Sequence, residues 1–143
     1  MTSAQGETEI RRMIVELQDA ICAKDLERIL SFYADDAVSF DLKPPMQLKG
    51  KAAIREMWAA CLPCFPEGGR IERRDIVASA SGELAYAHWH FYLVGMAPDP
   101  AQRMWMRATS VCRQVGGWWR VVHDHVSVPF DPMTSKIVVG LEP

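Results

Sequence analysis

Two histidines separated by one residue, His88 and His90, point to the same side of any extended segment that holds them. Two more, His123 and His125, flank Asp124 in the run H-D-H. Imidazoles titrate near neutral pH, so beside carboxylates such as Asp41 and Asp124 they suit the proton transfers of general acid–base chemistry. His88 and His90 with Asp124 or Asp41 would also satisfy the two-histidine, one-carboxylate pattern that some iron or zinc sites require. That spacing is common, and no cysteine or third histidine is expected on the same face, so no metal and no cofactor is expected. Cys61-Leu62-Pro63-Cys64 matches the C-x-x-C pattern of redox and zinc sites. No second pair completes a zinc ligand set and no thioredoxin-like βαβ order surrounds the motif, so these two read as packing thiols.

Composition narrows the function classes. A chain of 143 residues that is 49% hydrophobic can bury one continuous core, so a single domain over residues 1–143 is expected. The net charge of −2 arises from 16 basic and 18 acidic residues that alternate along the chain. No basic stripe offers itself to nucleic acid, and no apolar run approaches the ~20 residues of a membrane span. The first residues lack the basic and apolar regions of a signal peptide, and the four cysteines are irregularly spaced. A cytoplasmic protein with reduced, mostly buried thiols is the expectation.

The elements that must position these residues follow from periodicity. Ile10, Met13, Ile14, Leu17, Ala20 and Ile21 form one helical stripe. Asp25 is placed to cap a short second helix carrying Leu26, Ile29, Leu30 and Tyr33 that ends at Asp35-Asp36, and residues 37–41 follow as an extended stretch. Lys51–Cys61 reads as a third helix with Ile54, Met57, Trp58 and Cys61 on one face, stopped by Pro63. Beyond Gly68-Gly69 the pattern turns to strands over residues 70–80, 83–96, 104–115 and 118–128. Helices followed by a meander predict an α+β domain whose helices cover one face of an antiparallel sheet.

Gly116-Gly117 is a strong hairpin turn, because both positions tolerate positive φ. Pairing Val115 with Trp118 puts Thr109 opposite Asp124 and Ser110 opposite His123. One face then carries Arg107, Thr109, Val111, Val122, Asp124 and Val126. The other carries Ala108, Ser110, Cys112, Trp119, Val121, His123 and His125. Period alone does not say which face meets the helices.

The run D-L-E-R-I-L-S-F-Y-A-D-D-A-V-S-F-D from Asp25 to Asp41, followed by G-K-A-A-I-R-E-M-W from Gly50 to Trp58, resembles the ketosteroid isomerase and SnoaL-like branch of the NTF2-like superfamily. R-A-T-S-V at 107–111 and G-W-W-R-V-V-H-D-H-V-S-V-P at 117–129 are similar to the SnoaL-like subfamily, itself similar to the association domain of calmodulin-dependent kinase. The resemblance implies a cone with N-terminal helices on the concave face of a curved antiparallel sheet, a polar-lined hydrophobic pocket within, and a homodimer joined through the convex face. It puts Asp41 at the position of the isomerases' catalytic base. It also puts Leu17 and Thr109 where those enzymes carry their oxyanion donors, so steroid isomerisation by that route lacks both partners.

The alignment turns Thr109, Val122, Asp124, Val126 and Arg107 toward the pocket, together with Tyr86, His88, His90 and Tyr92. The convex patch would then hold Trp89, Phe91, Trp119 and Val121, with His123 and His125 as polar contacts. On this reading Asp41 is the base, His88 or His90 the acid or shuttle, and Asp124 the orienter. Tyr92 and Arg107 polarise the substrate, and Leu17, Met57, Trp58, Thr109, Val122 and Val126 line the pocket. The expected activity is cofactor-free isomerisation, dehydration or hydrolysis of a small hydrophobic molecule. The rival is a non-enzymatic ligand-binding or oligomerisation domain, because fold alone does not separate the two.

Overall fold

The computed structural model describes residues 2–143. The apolar stripe Ile10, Met13, Ile14, Leu17 and Ile21 is buried along α1 (Ser3–Cys22), whose first turn is capped by Thr2 accepting from the Gln5 N–H at 3.1 Å. Asp25 caps α2 (Leu26–Ser31) by accepting from Arg28 N–H. Here the chain departs from the expected boundary. Tyr33 is not on the helix but opens strand β1 (Tyr33–Phe40), because Phe32 accepts a backbone bond from Val121 N–H at 2.8 Å and Tyr33 pairs with Val121. Long-range pairing outweighs the local helical pattern. The short β2 (Leu48–Lys49) pairs back onto β1, and α3 (Lys51–Cys61) follows as its periodicity predicts, running into a 3-10 turn at Leu62–Cys64.

Four long strands build the rest: β3 (Arg70–Ser81), β4 (Leu84–Val94), β5 (Met106–Val115) and β6 (Trp118–Ser127). The sheet order is β2-β1-β6-β5-β4-β3, and the tail adds the small hairpin β7 (Phe130–Asp131) and β8 (Lys136–Ile137). β1 runs parallel to β6, so the sheet is mixed rather than wholly antiparallel. Register shifts in β3 at Arg74/Val77 and in the β5–β6 pair at Val111/Cys112 accompany its curvature, with α1 lying across β3 and β4. No helix among the described residues is long and apolar enough to cross a membrane.

The second shift decides which side chains face inward. Val115 pairs with Trp118 and Cys112 with Val121, as the Gly-Gly turn requires. Val122 is then an extra residue, so Val111 meets His123, Ser110 meets Asp124 and Thr109 meets His125. The expected faces are therefore corrected in two ways. Asp124 joins Ala108, Ser110 and Cys112. That face, with Ala85, Ala87, Trp89, Trp119 and Val121, is buried beneath the helices. Trp89, Trp119 and Val121 are thus core residues, not a convex patch. Tyr86, His88, Arg107, Thr109 and His125 occupy the exposed side instead. The apolar face wins the interior because burying it removes the larger hydrophobic area from water. The thiols also differ from expectation: all four are unpaired, yet only Cys112 is buried, Cys22 and Cys61 are half-buried, and Cys64 is exposed.

These faces predict opposite outcomes for neighbouring substitutions. Ala87→Asp, at a fully buried position, introduces an unpaired charge into the core and should cost several kcal/mol (about 3 or more). Arg113→Asp, exposed near the hairpin end of β5, should stay within about 0.5 kcal/mol. Urea unfolding followed by circular dichroism checks both, and equal losses would reverse the assignment of faces.

Candidate functional site

Asp124 projects from β6 into the space between sheet and helices, and two residues of the neighbouring parallel strand grip its carboxylate. The Tyr33 hydroxyl donates to Oδ2 at 2.9 Å and the Ser39 hydroxyl donates to Oδ1. β1 can deliver both because its register bends between Tyr33 and Val38 while Ser39 lies beside Asp124. Tyr33 and Ser39 are buried at 3% and 5% exposure, so both hydroxyls are aimed inward rather than hydrated.

Burial is the largest influence on Asp124 and pushes its carboxyl above the ordinary aspartate range. The hydrogen bonds from Ser39 and Tyr33 and the charge of His123 pull the other way, and the carboxylate of Asp41 adds repulsion that favours the protonated form. Burial also drives the Tyr33 hydroxyl well above its usual value, reinforced by the charge of Asp124. The Cys112 thiol is pushed up to about 12, first by burial and then by Asp124. Asp124 is thus a carboxyl with raised proton affinity, held by two hydroxyl donors.

Indole groups complete the surroundings. Trp58, half-buried on α3, lies against the Tyr33 hydroxyl, yet its N–H makes no well-formed hydrogen bond. The buried N–H of Trp89, on the inner face of β4, is likewise without a partner. An unsatisfied buried donor is costly, and the Trp58 N–H beside Tyr33 is suited to an acceptor oxygen of a bound molecule. Further along the inner face, Arg73 donates to the buried Gln18 of α1 at 2.9 Å. A separate cleft of about 430 Å³ opens between α1 and the β5–β6 hairpin, walled by Glu9, Met13, Phe32, Trp118 and Trp119. Asp124, Tyr33 and Trp58 are not among its walls.

Of the residues singled out from sequence, Asp41, Asp124 and Trp58 come together here. Asp41 is half-buried just past the end of β1, Met57 is half-buried on α3, Leu17 lies within the core, and Val126 packs half-buried against it. Val122 is half-buried at the extra position of β6. The others are on the far side of the sheet. His88 is exposed and stacks on Tyr86 with ring centroids 6.2 Å apart, while His90 lies 3.6 Å from Asp75. Arg107 is exposed and donates through Nε to Ser127 at 3.0 Å, beside exposed Thr109. Tyr92 is buried, but under Trp105 and Arg103 on that same outer side, its hydroxyl donating to Glu72 at 3.0 Å. The sheet therefore separates His88 and His90 from Asp41 and Asp124, and the two-histidine, one-carboxylate set does not assemble. Tyr33 and Ser39 were not foreseen; the signal was the alternation of V-S-F within an early strand, masked by assigning Tyr33 to a helix.

Residues 10–131 match the family model described as a SnoaL-like domain. An NTF2-like protein of unknown function from Pseudomonas putida KT2440 is 37% identical over 100% of both chains, with a TM-score of 0.91. A dehydratase candidate of the NTF2-like family from Streptomyces avermitilis is 17% identical, covering 88% of this chain and 97% of its own, with a TM-score of 0.73. A candidate calcium/calmodulin-dependent protein kinase type II association domain from Thiobacillus denitrificans is 20% identical over 83% and 93%, with a TM-score of 0.66. No curated protein matches the sequence significantly.

The raised proton affinity of Asp124 has a thermodynamic sign. A carboxyl that holds its proton more tightly in the folded state stabilises the fold below the ordinary aspartate range, near pH 4, and that contribution fades as pH rises through its folded value. Asp124→Asn cannot ionise, so its stability relative to the parent should grow between about pH 4 and pH 7. Urea midpoints of both proteins across that window check this; a shrinking difference would mean that the Tyr33 and Ser39 bonds outweigh burial.

Proposed function

The chain belongs to the family of SnoaL-like domains, and from that premise we propose that it is a cofactor-free acid–base enzyme acting on a small hydrophobic molecule bearing a carbonyl or hydroxyl oxygen. The observation that carries this reading is the buried carboxyl of Asp124, with raised proton affinity, fixed by Tyr33 and Ser39. Such a group abstracts a proton from carbon next to a carbonyl, or returns one to a leaving hydroxyl. The indole N–H of Trp58, beside the Tyr33 hydroxyl, is the donor for the substrate oxygen on which negative charge develops. Tyr33 orients the carboxyl, and Asp41 keeps its proton affinity high through like charge. Only Ile54 of α3 is buried, so this helix, carrying Met57 and Trp58, is the cover under which the substrate enters.

Proton exchange tests the reaction class without a known substrate. Small cyclic ketones and hydroxyketones in deuterated water should gain deuterium beside the carbonyl, read by proton NMR. Asp124→Asn should lower that rate ~10²-fold or more and Tyr33→Phe about 10-fold, with quenching of tryptophan fluorescence by the ligand retained. Ligands that quench without exchange, equally in the parent and Asp124→Asn, would instead make the domain a binding module.

The same proposal includes a homodimer through the outer sheet face and a cytoplasmic location, the latter supported by the four unpaired thiols. The outer face offers Phe40, edge-on to His123 and His125 at 4.6 and 5.4 Å, beside Tyr86, His88 and Thr109. Light scattering should give twice the chain mass, and Tyr86→Glu should return it to one chain without unfolding. A single-chain mass for the parent would remove the dimer.

A further inference from the structure

α3 ends at Cys61 and continues into the 3-10 turn Leu62–Cys64, so Cys61 and Cys64 stand three residues apart on unbroken helical backbone. That spacing separates Cα atoms by about 5 to 6 Å with side chains on one side, inside the range a disulfide spans. Cys64 is exposed and Cys61 half-buried, so neither is a core thiol. The Cys61 sulfur meets the Met57 sulfur at 3.8 Å and accepts a hydrogen bond from the Lys43 ammonium at 2.8 Å. This bond raises the proton affinity of Lys43, and Asp41 and Cys64 act on the same ammonium, which brings the loop after β1 and the end of α3 into one cluster. Lys43 thereby ties the segment that carries Asp41 to the end of the helix that carries Trp58.

We propose that Cys61 and Cys64 are a reversible dithiol–disulfide pair, a modification site for low-molecular-weight disulfides such as oxidised glutathione, whose oxidation releases Lys43. The exposed Cys64 thiolate attacks one sulfur of glutathione disulfide, forming a mixed disulfide and expelling one glutathione thiolate. The Cys61 thiolate then attacks the Cys64 sulfur, closes the intramolecular bond and expels the second. Two protein S–H bonds are lost and one S–S bond forms. The two electrons reduce glutathione disulfide to two glutathione thiols, which take up the two protons. A disulfide sulfur is a poorer hydrogen-bond acceptor than the cysteine sulfur it replaces, so bridging loosens the Lys43 contact. The same contact favours the reduced form and makes the bridge easy to reopen, as suits a regulatory disulfide rather than a structural one.

The test equilibrates the full-length protein in reduced and oxidised glutathione, traps free thiols by alkylation and maps peptides by mass spectrometry. Cys61 and Cys64 should lose alkylation together, through a bridge between them, while Cys112 stays reduced. Cys64→Ser should stop at no bridge. Lys43→Gln should bridge at a lower proportion of oxidised glutathione, on the order of 3-fold, the size of an exposed ion contact. Acylation of the Lys43 ammonium by an amine-reactive reagent, mapped on the same peptides, should accelerate in the bridged protein. Two thiols that remain alkylatable in excess oxidant, or that collect only separate glutathione adducts, would overturn the pair. Unchanged Lys43 acylation in the bridged protein would overturn its release.

Discussion

The carboxylate of Asp124 lies half-buried between sheet and helices, and two hydroxyls supply much of its solvation. Meeting that requirement ties β1 to β6, the one parallel pairing in the large sheet. Tyr33 and Ser39 come from a strand that begins directly after α2, so the position of both N-terminal helices over the sheet follows from where that strand must lie. Were Val122 taken into the ladder opposite Val111, Asp124 would fall opposite Thr109 on the outer face, away from Tyr33 and Ser39. The irregularity in β6 is therefore what makes an interior site compatible with an otherwise regular hairpin.

Opposing influences meet at this carboxyl. Two donors stabilise the ionised carboxylate, while burial and the neighbouring Asp41 favour the protonated one. Burial is the larger influence, so the net effect is a carboxyl that holds its proton more tightly than an ordinary aspartate. The unpartnered indoles of Trp58 and Trp89 add a second imbalance of the same sense. Stability is given up at positions that have no structural reason to be polar. Core residues such as Ile10, Ile14, Ile29 and Ile54, each at 0–1% exposure, supply the compensating burial.

Much of this was legible from residue patterns. α3 could be read to its ends because Ile54, Met57 and Trp58 repeat at helical spacing between a glycine and a proline. The Gly116-Gly117 turn correctly gave the pairs nearest to it, Val115 with Trp118 through Cys112 with Val121. Beyond them a single inserted residue changed every partner, and nothing local in V-V-H-D-H marks which valine is extra. The choice of face failed for a different reason. It relied on similarity at Thr109, whereas the row Ala85, Ala87, Trp89, Ala108, Cys112 and Val121 is plainly the more apolar and belongs under helices. Tyr33 was hidden because its strand partner lies far along the chain, where no local propensity registers it.

That distance has a consequence for how the molecule is made. Tyr33 and Asp124 are 91 residues apart and Ser39 and Asp124 are 85 apart. On the ribosome the two hydroxyls and the helices above them emerge long before the strand that receives them. Until β6 arrives, β1 has only the two-residue β2 beside it, and the apolar inner face of the growing sheet lacks its final neighbour. Closing so long a loop late is entropically slow and leaves unpaired strand edge open to other chains. Expression yield, rather than finished stability, is thus where changes in β1 and β6 would register first.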